Sequence, residues 1–95
     1  MDKLLILYTM DGCPFCTMMK DKLNESNIIF HERDIDVHRD EYDLFVEITE
    51  NDYVPAFMII ESDEQKQPIS SLYAPDRDFN DLDEGIEIIK NKLFL

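Results

Sequence analysis

Apolar and polar positions follow two rhythms along this chain. Leu4 to Tyr8 is a short continuous apolar run, closed by Asp11-Gly12, which is the pattern of a strand buried on both faces. From Pro14 the period lengthens. Cys16, Met19 and Leu23 recur at helical spacing, with Lys20, Lys22 and Glu25 on the wet side. Pro14 suits the first turn of that helix, where its missing N–H is no loss, and Asn24 to Asn27 ends it. Ile28 to Asp34 reads as a second strand, apolar first and charged later, a character that protects the unpaired backbone of a sheet edge. Strand, helix, strand in that order implies a right-handed crossover and a parallel pair.

A second helix is predicted at about Asp40 to Glu50, with Tyr42, Phe45 and Val46 as its apolar positions and Ile48 as a further candidate. Asn51-Asp52 breaks it. Ala56 to Glu61 is another apolar strand, entered through Tyr53-Val54-Pro55. Ser62 to Gln67 is a polar turn and Ile69 to Tyr73 a shorter strand, so the two strands form a hairpin with a longer loop. Residues 74–78 connect to a last helix that starts near Asn80 or Asp81, either of which can cap it. Leu82, Ile86, Ile89 and Leu93 form its apolar stripe. The order is β-α-β-α-β-β-α, an α/β domain with a four-stranded mixed sheet flanked by helices.

Composition narrows the picture. Ninety-five residues make one domain spanning 1–95, with a single core serving the whole chain. No apolar stretch approaches the ~20 residues a membrane helix needs, and Leu4 to Leu7 is too short for a signal-peptide core. A cytoplasmic protein without membrane contact is therefore expected. The net charge of −13 argues against phosphate-based nucleic-acid binding. It predicts repulsion of anionic small molecules, relieved by salt. An acidic exterior serves solubility in the first place, and selection of a basic protein partner in the second.

Chemistry concentrates in Cys13-Pro14-Phe15-Cys16, which holds the only two cysteines. In a reducing cytosol such a pair is catalytic or metal-binding rather than a structural staple. A C-x-x-C at the first strand–helix junction of this pattern reads as the thioredoxin-fold redox motif. Cys13 falls at the helix N-terminus, where unpaired N–H groups and the positive end of the dipole favour the thiolate. Cys16 lies one turn on, within reach and more buried. Cys13 is thus the expected nucleophile and Cys16 the thiol that resolves its mixed disulfide. Phe15 offers an apolar contact to substrate.

Other readings of the pair fare worse. Fourteen residues separate Cys16 from His31 and six separate His31 from His38, wider than a zinc finger's histidine pair. With His31 on a strand and His38 beyond it, both are expected at the surface, and no metal site is assigned. Thr17 stands where haem attachment requires His. Val54-Pro55 is the second constellation. Proline is tolerated as the first residue of a strand; a cis bond there would also offer the Val54 backbone to a peptide-like substrate beside Cys13.

Taken together, these residues resemble the glutaredoxin family over nearly the whole chain. Tyr8 ends the first strand, Cys13-Pro14-Phe15-Cys16 is similar to the family's Cys-Pro-Tyr-Cys, Val54-Pro55 to its Thr-Val-Pro, and Asp81 to the acidic residue opening its last helix. The resemblance implies a thioredoxin-like fold, a cis Pro55 and Cys13 as nucleophile. Substrate contacts would come from Tyr8, Phe15, Tyr53, Val54, Pro55 and Asp81. It also implies a monomer with no bound cofactor, exchanging thiols with glutathione as reducing co-substrate, and ribonucleotide reductase among the disulfide-containing protein substrates.

Three departures stand out. Met10 replaces the family's cation before the first cysteine, Tyr53 replaces the threonine, and Arg77-Asp78 occupies the place of a glycine pair. Loss of a cationic donor to a carboxylate costs on the order of 1.5–3 kcal/mol, which makes direct reduction by thioredoxin reductase an alternative to glutathione. Two further alternatives stand beside these: a glutathione-ligated iron–sulfur carrier dimer held through Cys13, and a binding module using the acidic face.

Overall fold

β1 (Lys3–Thr9) runs through the middle of the sheet because its side chains are apolar on both faces. The computed structural model describes residues 3–62 and 68–94. Around β1, the sheet has the order β2-β1-β3-β4, with β2 (His31–Asp34), β3 (Ala56–Ser62) and β4 (Pro68–Tyr73). β1 and β2 are parallel, with Ile6 opposite His31 and Thr9 opposite Asp34. β1–β3 and β3–β4 are antiparallel, Tyr8 facing Ala56 and Phe57 facing Tyr73. The charged strand β2 is an edge.

Strand alternation splits the core between the two sides. Leu5 and Leu7, with Phe57 and Ile59, meet Met19 and Leu23 of α1 (Pro14–Glu25) and Ile86 and Ile89 of α3 (Leu82–Phe94). Ile6 and Tyr8 point the other way, onto Tyr42 and Phe45 of α2 (Arg39–Thr49) and onto Ala56 and Ala74. Gly85 lets α3 come close: a Cβ there would stand 3.3 Å from Met19 Cε and 3.3 Å from Phe79 Cδ2. The α/β architecture and element order agree with those predicted from the sequence.

The differences are local and have physical causes. The second strand starts at His31, not Ile28. Asn27 takes a left-handed conformation and the Ile28 N–H donates to Leu23 O at 2.9 Å, so Ile28 is tied to the C-terminal end of α1 and the chain pairs with β1 only from His31. In α2 the buried positions are Tyr42, Phe45 and Thr49, while Ile48 is 66% exposed. Positions 42, 45 and 49 share one helical face and 48 falls outside it. Thr49 is tolerated there because its hydroxyl donates to Phe45 O at 2.8 Å. The expected turn from Ser62 to Gln67 lies, beyond Ser62, outside the described residues.

Candidate functional site

The loop after β1 delivers the cysteine pair to the top of the sheet. Gly12 has φ +74°, a left-handed conformation that favours glycine, and it turns the chain into α1. Cys13 is the N-cap of α1 and Pro14 its first residue. The Cys16 backbone N–H donates to Cys13 Sγ at 3.2 Å, and Thr17 N–H to Cys13 O at 3.2 Å. The first turn of α1 carries no acidic residue. Thus donors and the positive end of the helix converge on Cys13 without a carboxylate in that turn to oppose them. Cys13 and Cys16 are joined as a disulfide with their Cα atoms 5.2 Å apart. Cys13 is partly exposed and Cys16 is 2% exposed.

Two grooves flank the turn. One, of about 440 Å³, is lined mainly by apolar groups: Phe15 and Met18 from α1, Val54 and Pro55 before β3, and Phe79 and Leu82 at the start of α3. Asp81, Asp83 and Lys22 complete its border. The Val54–Pro55 peptide bond is cis. Asp81 caps α3 by accepting the Glu84 N–H at 2.8 Å. Lys22 donates to Asp83 at 2.9 Å, and that hydrogen bond, followed by the Asp83 charge, raises the lysine above its ordinary value.

The other groove, about 380 Å³, is polar and takes in Cys13 and Cys16 with Thr9, Met10, Lys20, Glu32 and Asp34. Glu32 accepts from the Thr9 hydroxyl at 2.7 Å and from Lys20 Nζ at 3.0 Å. Those two hydrogen bonds, the threonine's first, hold its carboxyl below the usual range. Sequence reading did not single out Thr9 or Glu32, and it placed Lys20 only on the wet side of the first helix. Thr9, Lys20 and Glu32 come from β1, α1 and β2, and only the signature of a charged edge strand hinted at Glu32.

Of the residues proposed for substrate contact, Phe15, Val54, Pro55 and Asp81 share the apolar groove. Tyr53, 60% exposed, lies in the loop before Val54 and is not part of the groove lining. Tyr8 is a correction. It is 1% exposed, and its hydroxyl donates to Glu41 at 2.5 Å in the layer between the sheet and α2. Burial first, then the hydrogen bond to Glu41, pushes its phenol well above the ordinary value. Glu41 is paired in turn with Arg33 of β2. Because β1 is central and Tyr8 points to the α2 side, the ring cannot reach a ligand. Arg77 does not border the apolar groove either; it pairs with Asp78 at 3.0 Å. Asp78 itself accepts the Ala74 N–H at 2.8 Å.

Sheet order, helix placement and a cysteine pair at the N-terminus of α1 define a thioredoxin-like α/β protein. Solved structures share that fold. A thioredoxin-like protein is 16% identical over 94% of this chain and 99% of its own, with a TM-score of 0.54. A mutant of it is 14% identical over 92% and 95%, with a TM-score of 0.53. A malarial protein is 17% identical over 98% and 99%, with a TM-score of 0.51. No curated protein matches the sequence significantly. The glutaredoxin family model matches residues 5–62, more than half of the chain, and the protein belongs to the glutaredoxin family. The match covers both cysteines and Val54-Pro55 and ends before β4 and α3. Family and cysteine pair together support thiol–disulfide oxidoreductase chemistry.

Proposed function

We propose that the protein is a dithiol–disulfide oxidoreductase that reduces protein or mixed disulfides through Cys13 and Cys16. One observation carries the reading: a partly exposed N-cap cysteine whose sulfur accepts the Cys16 N–H, with a buried second cysteine in bonding reach. Cys13, as thiolate, attacks one sulfur of the acceptor disulfide. A Cys13–substrate disulfide forms and the first substrate thiolate leaves. Cys16 then loses its proton and attacks Cys13 Sγ. The Cys13–Cys16 disulfide forms, and the second substrate thiolate leaves. Two electrons have passed from the dithiol to the substrate.

The N–H of Cys16 and the helix N-terminus stabilise the sulfur anion each time Cys13 attacks or departs. Val54 and Pro55 form the platform on which a peptide-like substrate lies, with Phe15 on the facing wall. Two glutathione molecules, or the dithiol of thioredoxin reductase, return the electrons by the reverse sequence. We place this activity in the cytoplasm, in a monomer, with ribonucleotide reductase as one acceptor to try.

Turnover of a mixed-disulfide substrate, coupled to each reductant separately, tests the reading. Cys13→Ser abolishes activity with both reductants. Cys16→Ser accumulates a covalent Cys13–substrate adduct, visible by mass spectrometry. Sustained turnover by Cys13→Ser is the result that removes the proposal.

A further inference from the structure

We propose that the apolar groove beside the cysteine turn docks a basic protein segment: one with a large apolar residue next to its disulfide cysteine and a Lys or Arg close by. The same surroundings discriminate against small anionic thiols. This rests on the exchange chemistry of Cys13 and Cys16 and names the substrate class it serves.

The groove's shape favours an apolar side chain. Buried Phe79, with Pro55, Leu82, Met18 and the 60% exposed Phe15, lines it. Its volume of about 440 Å³ lies within the range of clefts that hold a ligand group of side-chain size or larger. An aliphatic side chain leaving water for such a site gains roughly tenfold or more in affinity.

Charge chooses between ligands. The lysine lining each groove already has a carboxylate: Lys20 of the polar groove on Glu32 and Lys22 of the apolar groove on Asp83. Asp81, which lines the groove and accepts the Glu84 N–H, forms no ion pair within 4 Å among the described residues, and the nearby Lys22 that feels its charge is hydrogen-bonded to Asp83 instead. Across the turn stand Asp11 and Asp34, with the uncharged Met10 between Thr9 and Asp11. An incoming carboxylate therefore meets acids and no unpaired cation among the described residues lining the two grooves, against a background charge of −13. A lysine or arginine beside the substrate cysteine meets Asp81. Exposed charges act at this range through steering and weak pairing, so salt weakens the preference.

The test uses the pre-reduced full-length protein in single turnover, so no electron donor enters. Four peptide disulfides are compared, Leu or Gly beside the cysteine in combination with Lys or Glu two residues away, together with glutathione disulfide. Each rate is divided by the rate of the same compound with a neutral small dithiol, which removes the effect of flanking charge on the leaving thiol. In each case Cys13 and Cys16 supply two electrons, the substrate disulfide becomes two thiols, and the protein ends as the Cys13–Cys16 disulfide.

The Leu/Lys peptide is expected to react about tenfold faster than Gly/Lys. It should be about threefold faster than Leu/Glu at low salt, a ratio shrinking toward one at high salt. Glutathione disulfide should trail Leu/Lys by about tenfold or more. Asp81→Asn, which keeps the helix cap, narrows the Lys/Glu ratio. Either peptide ratio near one, or glutathione disulfide as fast as Leu/Lys, overturns the proposal while leaving the exchange chemistry standing. No reaction with any of the five removes the exchange chemistry, and this docking site with it.

Discussion

Tyr8→Phe separates a structural tyrosine from a substrate-binding one. The variant removes one oxygen from a ring that is 1% exposed and leaves ring packing on Tyr42 and Phe45 intact, with centroids 5.7 and 4.9 Å away. What is lost is a phenol hydrogen bond to the Glu41 carboxylate at 2.5 Å. Bonds to charged groups contribute roughly 1.5–3 kcal/mol. Glu41 keeps Arg33, and its side chain is 31% exposed, so water can replace the phenol. The expected loss is therefore near the low end, about 1–2 kcal/mol.

Urea unfolding of the oxidised protein at neutral pH measures this. With m on the order of 1–2 kcal/mol/M, the midpoint falls by about 1 M. Tyr42→Phe is the internal control. Its hydroxyl is buried with no hydrogen-bond partner among the described residues, so its removal leaves stability unchanged or raises it.

The alkaline limb carries a second signature. An unfolded tyrosine titrates near pH ~10, and Tyr8 in the fold stays protonated to higher pH, chiefly because it is buried. The folded state then holds the extra proton. Its contribution is complete below the unfolded value and is lost as pH rises through the folded one, at up to about 1.4 kcal/mol per pH unit. Tyr8→Phe removes that loss, leaving the smaller share from Tyr42, also raised by burial. Turnover at neutral pH stays within about twofold of the parent, measured at a temperature where both are folded. A tenfold drop in kcat/KM with unchanged stability would refute the reasoning and return Tyr8 to the substrate site.

Substitutions at two other positions probe the grooves. Glu32→Ala strands the buried Thr9 hydroxyl and costs about 1–2 kcal/mol by urea unfolding, at the lower end because the polar groove admits water, whereas Glu32→Gln keeps an acceptor and costs less than about 1 kcal/mol. Since the Glu32 carboxyl is held below its usual range, its contribution is present above the unfolded value near pH ~4.3 and lost as pH falls through the folded one, and Glu32→Gln should flatten that acid limb. Gly85→Leu forces atoms into Met19 and Phe79, already 3.3 Å from a bare Cβ, and should cost about 1–3 kcal/mol. Because Phe79 lies beneath the apolar groove, the same variant should raise KM for peptide disulfides more than it lowers kcat; unchanged stability and KM would show that α3 gives way without effect.

Much of this protein could be read along the chain, because its signals are local. The apolar run at Leu4 to Tyr8, the helical spacing of Cys16, Met19 and Leu23, and Pro14 directly after Cys13 each depend on neighbours within one or two turns. They determined the element order and put Cys13 at a helix N-terminus. Strand alternation told which residues share a face, but not which helix covers that face. That choice belonged to the tertiary structure. It sent Tyr8 under α2, brought together Lys20 of α1 and Glu32 of β2, twelve positions apart in the chain, and placed Phe79 and Leu82 in one groove with Pro55. Contacts made across the sheet depend on where helices dock, and no local periodicity encodes that. The sequence determined the chemistry of the cysteine pair; packing decided which side chains surround it.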